Sequence, residues 1–268
     1  MQMIMDVGMY KGEDTQFYLD KGFRVVAIEA NSQFVFENRA KLGQYIQDGL
    51  LEILPLAIAE KEGVVPFYLF PEKGDWGTLD PGYAQRNIAR GTTYNIVELA
   101  SVTFDSILKR YGIPYYLKID IEGADILCIK ALHNFAERPK YISFETELVG
   151  FESTFECLSH LYVLGYRKFK IVNQKVNDRQ RCPNPPREGR YVETVFSGYM
   201  SGLFGAESPG DWENIEHTLD KYRRILKAQR LFCPEGKYPR FQPHFDRFSA
   251  FWGREPLGWY DIHTMFSD

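Results

Sequence analysis

Met5-Asp6-Val7-Gly8-Met9-Tyr10-Lys11-Gly12-Glu13-Asp14-Thr15 reads as the end of a short apolar strand, a turn with glycines four residues apart, and a helix opened by acidic side chains. Glycine has no Cβ, so the backbone there can turn tightly and come close to a ligand. In a dinucleotide site the same turn sets a pyrophosphate on the helix N-terminus. Here Glu13 and Asp14 occupy that N-terminus and would repel a diphosphate, and Lys11 offsets only part of their charge.

The next element is Phe23-Arg24-Val25-Val26-Ala27-Ile28-Glu29-Ala30-Asn31, a buried-type strand closed by a carboxylate. Glu29 lies 21 residues after Gly8, near the ~20 at which an acidic residue of a βαβ unit binds ribose hydroxyls. The pair of elements therefore suggests an adenosine ligand without a diphosphate. A glycine turn ringed by Asp6, Glu13 and Asp14 suits a cationic one. S-adenosylmethionine (SAM), with its sulfonium and ammonium groups, has that chemistry. The plainer alternative is a βαβ unit with an acidic strand end and no ligand.

At 268 residues the chain is long enough for one large domain, or one domain with an extension. A net charge of −4 and the lack of a long Lys/Arg cluster argue against a nucleic-acid partner. Lys221, Arg223, Arg224 and Lys227 fall on one helix and read as a solvated face. No run approaches the ~18 apolar residues of a membrane span, and a first strand at about Met3 leaves no room for a signal peptide. Cys128, Cys157, Cys182 and Cys233 form no CxxC pair, so neither zinc nor redox chemistry is expected. Free thiols and a cytoplasmic location are.

Strands are expected at Met3–Val7, Arg24–Glu29, Leu51–Ala59, Tyr115–Asp120, Lys140–Glu145 and Lys168–Val172. Helices are expected at Asp14–Lys21, Ser32–Leu42, Phe104–Tyr111, Asp125–Leu132 and Thr154–Leu164, with Thr103 as an N-cap and Gly22 and Gly43 as C-terminal caps. This alternation predicts an α/β doubly wound, mostly parallel sheet with helices on both faces. Val64–Phe70 reads as an extra strand, and Pro71 to Gly91 as a long loop. After Val172 the character changes. Asn173 to Gly189 reads as irregular, and a helix is expected from Asp211 to about Arg230, its apolar face formed by Ile215, Leu219, Tyr222 and Leu226. The expected division is a core at 1–172 and an aromatic-rich C-terminal extension at 173–268.

These motifs resemble the FkbM family of SAM-dependent methyltransferases. The resemblance is carried by Asp6-Val7-Gly8-Met9-Tyr10-Lys11-Gly12 with Thr15, Val26-Ala27-Ile28-Glu29-Ala30-Asn31, Leu117-Lys118-Ile119-Asp120-Ile121-Glu122-Gly123-Ala124-Asp125 and Tyr141-Ile142-Ser143-Phe144-Glu145. Lys-Ile-Asp-Ile-Glu-Gly is the most family-specific block, and the match covers roughly residues 1 to 172. The resemblance implies a class I methyltransferase (Rossmann-like) fold, with a seven-stranded sheet whose last strand is antiparallel. It also implies O-methylation of hydroxyls on sugars, glycans or glycosylated natural products.

On that reading Asp6, Gly8, Met9, Tyr10, Gly12 and Thr15 wrap the methionine part of SAM. Glu29, Ala30 and Asn31 hold the ribose side, and Ala57 and Ile58 meet the adenine. Asp120 lies nearest the transferring methyl and the ammonium. An alcohol acceptor needs a base, for which Asp120 and Glu122 come first and Glu145 second. Glu122 has an alternative role, bracing its turn by accepting backbone N–H bonds. No metal is expected, since no further Asp or Asn completes an oxygen set. His263 is a further base candidate, with packing as its plainer role. Trp76, Trp252 and Trp259 are candidate acceptor contacts, although the aromatic tail equally suits packing. The edge strands and the tail leave room for a homodimer. Two other functions stay open: a non-catalytic SAM-fold module of a biosynthetic complex, and an NAD-linked oxidoreductase.

Overall fold

The computed structural model describes residues 1–146, 151–234, 236–251 and 255–267. Ten strands are present among them: β1 (Met3–Val7), β2 (Arg24–Ile28), β3 (Leu51–Leu54), β4 (Ala57–Ile58), β5 (Gly63–Leu69), β6 (Asn95–Val102), β7 (Tyr116–Ile119), β8 (Tyr141–Glu145), β9 (Lys168–Asn173) and β10 (Tyr260–Met265). The helices are α1 (Glu13–Asp20), α2 (Ser32–Lys41), α3 (Gly43–Gln47), α4 (Pro81–Ala89), α5 (Phe104–Tyr111), α6 (Asp125–Ala131), α7 (Glu152–Val163), α8 (Ile215–Phe232) and α9 (Gln242–Phe251). Seven strands form one sheet in the order β3-β2-β1-β7-β8-β10-β9. β1 runs parallel to β2 and β7, β2 runs parallel to β3, and β10 is antiparallel to β9. The sheet is thus seven-stranded and mostly parallel, as the resemblance implies. The chain forms two compact units, Met1–Ile142 and Ser143–Asp268.

In the first unit β7 is buried along its whole length, and β1 and β2 everywhere but their first residue. Strands covered on both faces carry apolar runs rather than alternation, which explains Ile4-Met5 and Val25-Val26-Ala27-Ile28. Side chains close several helix starts: Asn31 accepts from Gln33 N, Thr103 from Ser106 N, and Asp80 from Gly82 N and Tyr83 N. Each supplies one of the acceptors that a helix N-terminus lacks. α1 has no side-chain cap. Gly12 precedes it in the left-handed region, and Glu13 and Asp14 oppose the positive end of the helix dipole.

Four expectations are corrected. The strand read as Leu51–Ala59 is split at Pro55, and β4 leaves for a separate three-stranded sheet ordered β4-β6-β5. Pro71 to Gly91 is not all loop. Asp80 caps and Pro81 opens α4, a use of Asp-Pro that a turn reading hides. Gly43 opens α3 instead of capping α2. α8 begins at Ile215 behind an Asn214 cap, not at Asp211. Its buried stripe is Thr218, Tyr222, Leu226 and Gln229, partly polar and so invisible to a hydrophobic reading.

The antiparallel strand is β10, drawn from the aromatic tail. Tyr260 pairs with Asn173 and Met265 with Lys168. His263 sits in this strand opposite Lys170, 2% exposed. Burial first, and the Lys170 charge second, push its pKa down to about 3, so it is a neutral core histidine. Cys128 and Cys157 are buried free thiols. Trp252 lies outside the described residues.

Candidate functional site

The first unit brings the ends of β1, β2 and β7 together through the glycine turn. Gly8 N and Met9 N both donate to Ile28 O, at 3.0 and 3.1 Å, and Asp120 N donates to Val7 O at 2.8 Å. Gly8 has φ +91°, and Tyr10 has φ +50°. A Cβ on Gly8 would lie 1.8 Å from the Asp120 carbonyl oxygen. The buried Asn38 side chain donates to Tyr10 O at 2.6 Å and fixes the far side of the turn.

Glu29 is the keystone of this turn. Its two carboxylate oxygens accept from Tyr10 N and Asn31 N, both at 2.7 Å. Burial raises its pKa to about 7, against the lowering effect of those two bonds. Each oxygen has a second lone pair beyond the backbone bond it makes. Ala30 is half-buried, and Asn31 is buried as the α2 cap.

Asp6 and Asp14 are not the free acidic rim that the sequence suggests. Both are buried and share Lys118, whose ammonium lies 3.3 Å from Asp6, 3.8 Å from Asp14 and 3.6 Å from Asp120. The same ammonium donates to Gly8 O at 3.1 Å. Asp6 Oδ2 accepts from Thr15 Oγ1 at 2.5 Å, while Oδ1 accepts no hydrogen bond and meets Lys118 only as a charge. Asp120 differs from both, since its side chain is 44% exposed. Lys118 is a functional residue that its motif alone does not reveal. Two of its partners, Asp6 and Asp14, lie more than a hundred residues away along the chain, so no spacing could reveal them.

Beyond Asp120 the backbone turns through Glu122 and Gly123, with φ +46° and +96°. Asp125 braces this turn, accepting from Ile121 N at 3.0 Å. Glu122 instead pairs with Arg86 of α4 at 3.6 Å. Burial, then the Asp120 charge, pushes the Glu122 carboxyl up to about 8, and burial pushes Asp125 up to about 7.

The other sequence candidates are placed as follows. Met9 is buried, and Gly12 caps α1. Ala57 and Ile58 lie buried in the small sheet, paired with Ser101 and Val102. Glu145 closes β8, half-buried, in the second unit. The Trp76 ring carries Lys73 and Arg90 at 5.7 and 5.2 Å from its centroid. Among the described residues no group of three or more His, Cys, Asp or Glu is arranged to hold a metal ion. No described helix is long and apolar enough to cross a membrane.

The raised carboxyls have a consequence for stability. Glu29, Glu122 and Asp125 keep protons in the fold at pH values where the unfolded chain has released them, so the unfolded state binds fewer protons. Their contribution is full below about pH 4 and is lost as pH rises through 7 to 8. The melting temperature of the ligand-free protein should therefore fall by a few degrees, roughly, between pH 5.5 and 8. Calorimetry on wild type and on an E122Q/D125N variant checks this. A profile that the double substitution does not flatten contradicts it.

The Methyltransferase FkbM domain profile matches residues 6–168. No curated protein sequence matches the chain. Among solved structures it is similar to Methyltransferase FkbM from Methylobacillus flagellatus KT, at 16% identity and TM-score 0.41, over 64% of this chain and 40% of that one. It is similar to precorrin-6y C5,15-methyltransferase from Geobacter metallireducens GS-15, at 12% identity and TM-score 0.38, over 64% and 66% of the two chains. It is also similar to Haemonchus contortus phosphoethanolamine N-methyltransferase 2, solved with S-adenosyl-L-methionine, at 8% identity and TM-score 0.39, over 100% and 49%. The chain thus spans less than two thirds of each of these proteins.

Proposed function

The chain belongs to the FkbM methyltransferase family, and from that premise we propose that it is a SAM-dependent O-methyltransferase. Its acceptor is a hydroxyl of a sugar, glycan or glycosylated natural product. The observation that carries the cofactor reading is Glu29, buried at a strand end and bonded to both sides of the glycine turn. A carboxylate so fixed can accept from the two hydroxyls of a ribose. The residues fit SAM in two further ways. Glu13 and Asp14 in the first turn of α1 disfavour the diphosphate that a dinucleotide would bring. Asp120 shares Lys118 with Asp6 and Asp14, but it alone of the three is solvent-accessible and so can meet a cationic ligand.

In this reading the Gly8–Gly12 turn holds the methionine part, with Met9, Tyr10 and Thr15, and Asp120 takes the ammonium. Glu29 holds the ribose, flanked by Ala30 and Asn31, and Ala57 and Ile58 face the adenine. SAM, when bound, supplies an electrophilic methyl group on sulfur. The protein's contribution is mainly placement, which can provide about 7–11 kcal/mol of rate acceleration. A carboxylate beside the acceptor would take the hydroxyl proton when the methyl carbon–sulfur bond is exchanged for a carbon–oxygen bond, with S-adenosylhomocysteine as the leaving group. Glu122 suits that task, because a base works best with a pKa near the working pH. Asp120 stands behind it.

Titration calorimetry with SAM and S-adenosylhomocysteine, with NADH as control, tests the reading. SAM should bind about 100-fold more weakly to Glu29→Ala, the loss of two charge-assisted hydrogen bonds. Glu29→Gln should fall between the two proteins. Wild-type affinity should rise from pH 6 to pH 8, since ionised Glu29 accepts both hydroxyl protons and its pKa stands at about 7. A folded sample that ignores SAM would overturn the proposal.

A further inference from the structure

The segment between β5 and β6 reaches the Glu122 turn at three points. Thr78 is tied to β5 by reciprocal backbone bonds with Tyr68, at 2.9 and 3.1 Å. Its hydroxyl donates to Glu122 O at 2.7 Å. One turn into α4, the Arg86 guanidinium meets the Glu122 carboxylate. Arg86 is itself fixed on two sides. It lies 4.1 Å from the centroid of the Tyr83 ring, and its Nε donates to Asn87 Oδ1 at 3.4 Å. Asn87 is fully buried and donates to Trp76 O at 3.4 Å. The Tyr83 ring closes the assembly against Gly123, where a Cβ would come within 2.9 Å of it.

These contacts hold a residue in a conformation it disfavours. A left-handed non-glycine residue costs roughly 1–2 kcal/mol, and such residues persist where their surroundings over-determine them. Glu122 is held by its carbonyl, by its side chain and by the packing of the next residue. What the arrangement fixes is the position of a carboxylate beside Asp120.

We propose that Arg86 is a positioning residue for methyl transfer: fixed by Tyr83 and Asn87, it holds Glu122 beside Asp120 and favours the ionised form that accepts a proton. The proposal rests on Glu122 being the base of the reading above. The charges facing Glu122 are Asp120 from the end of β7, Asp125 from α6, Asp75 from the 3₁₀ turn Gly74–Trp76, and Arg86 from α4. The three carboxylates and burial all favour the protonated form, and Arg86 opposes them. Without it Glu122 would keep its proton further into the alkaline range.

The test needs no acceptor. In protein labelled with carboxyl-¹³C glutamate, the Glu122 resonance is identified by its loss in E122Q and followed by NMR as pH is raised. In R86Q its titration midpoint should move up by about one pH unit or more, and in R86K by less. Melting temperature and near-ultraviolet circular dichroism confirm the fold of each variant, and a purely structural role for Arg86 would move these and leave the midpoint alone. An unmoved midpoint in folded R86Q overturns the proposal. Should R86Q fail to fold, R86M removes the same charge, and an unmoved midpoint there overturns it equally. SAM calorimetry on the same samples keeps the two readings apart. A wild type that ignores SAM removes methyl transfer whatever the midpoint does, whereas SAM binding with an unmoved midpoint removes only the role of Arg86.

Discussion

Gly8→Ala is expected to abolish SAM binding and to destabilise the first unit by about 2–5 kcal/mol, the sum of a left-handed alanine and an overpacked core. The added methyl would stand 1.8 Å from Asp120 O and 2.8 Å from Asp120 C, both backbone atoms with no rotamer to escape into. Neither side of the contact can give way cheaply. Gly8 N is bonded to Ile28 O, and Asp120 N is bonded to Val7 O. Relief would therefore require β1 and β7 to part at the ends that carry Asp6 and Asp120. Urea denaturation and SAM calorimetry check the result. A variant within about 1 kcal/mol of wild type that still binds SAM would show that the close approach of turn and strand is not structural.

Lys118→Met should cost a comparable amount, about 3–5 kcal/mol, because removing one member of a buried ion pair leaves the other uncompensated. The side chain is 6% exposed, and Asp6 and Asp14 are buried beside it. Methionine preserves most of the apolar stem, so the loss reads the charge and not the packing. The turn should loosen as well, since Lys118 also donates to Gly8 O. A double-mutant cycle isolates the ionic part. D14N/K118M should be less destabilised than the sum of its single variants. Simple additivity would mean that Asp14 and Lys118 do not share a charge cluster.

Buried parallel strands were the most legible part of the fold. β1, β2 and β7 are mainly apolar because both faces are covered, and a window over them finds the pattern despite Asp6, Arg24 and Lys118. β10 escaped for the opposite reason. Tyr260-Asp261-Ile262-His263-Thr264 is buried throughout, yet four of these five residues are polar or titratable. Neither alternation nor an apolar run marks it. β6 escaped because much of Asn95–Val102 faces solvent and the strand belongs to a small separate sheet. At the candidate site, local chemistry could be read where both partners lie close in sequence, as with Glu29 and Asn31. Lys118 and Arg86 could not, since their roles exist only once β7 reaches β1 and α4 reaches the Glu122 turn.

The place of β10 in the sheet also sets the order of events during synthesis. It stands between β8 and β9, although both leave the ribosome well before it. Until β10 emerges, β8 and β9 each present an open edge to the cell, and such edges can pair with other chains. A nascent chain stalled anywhere between Asn173 and Tyr260 would carry both edges, making that interval the one in which chaperone protection matters most.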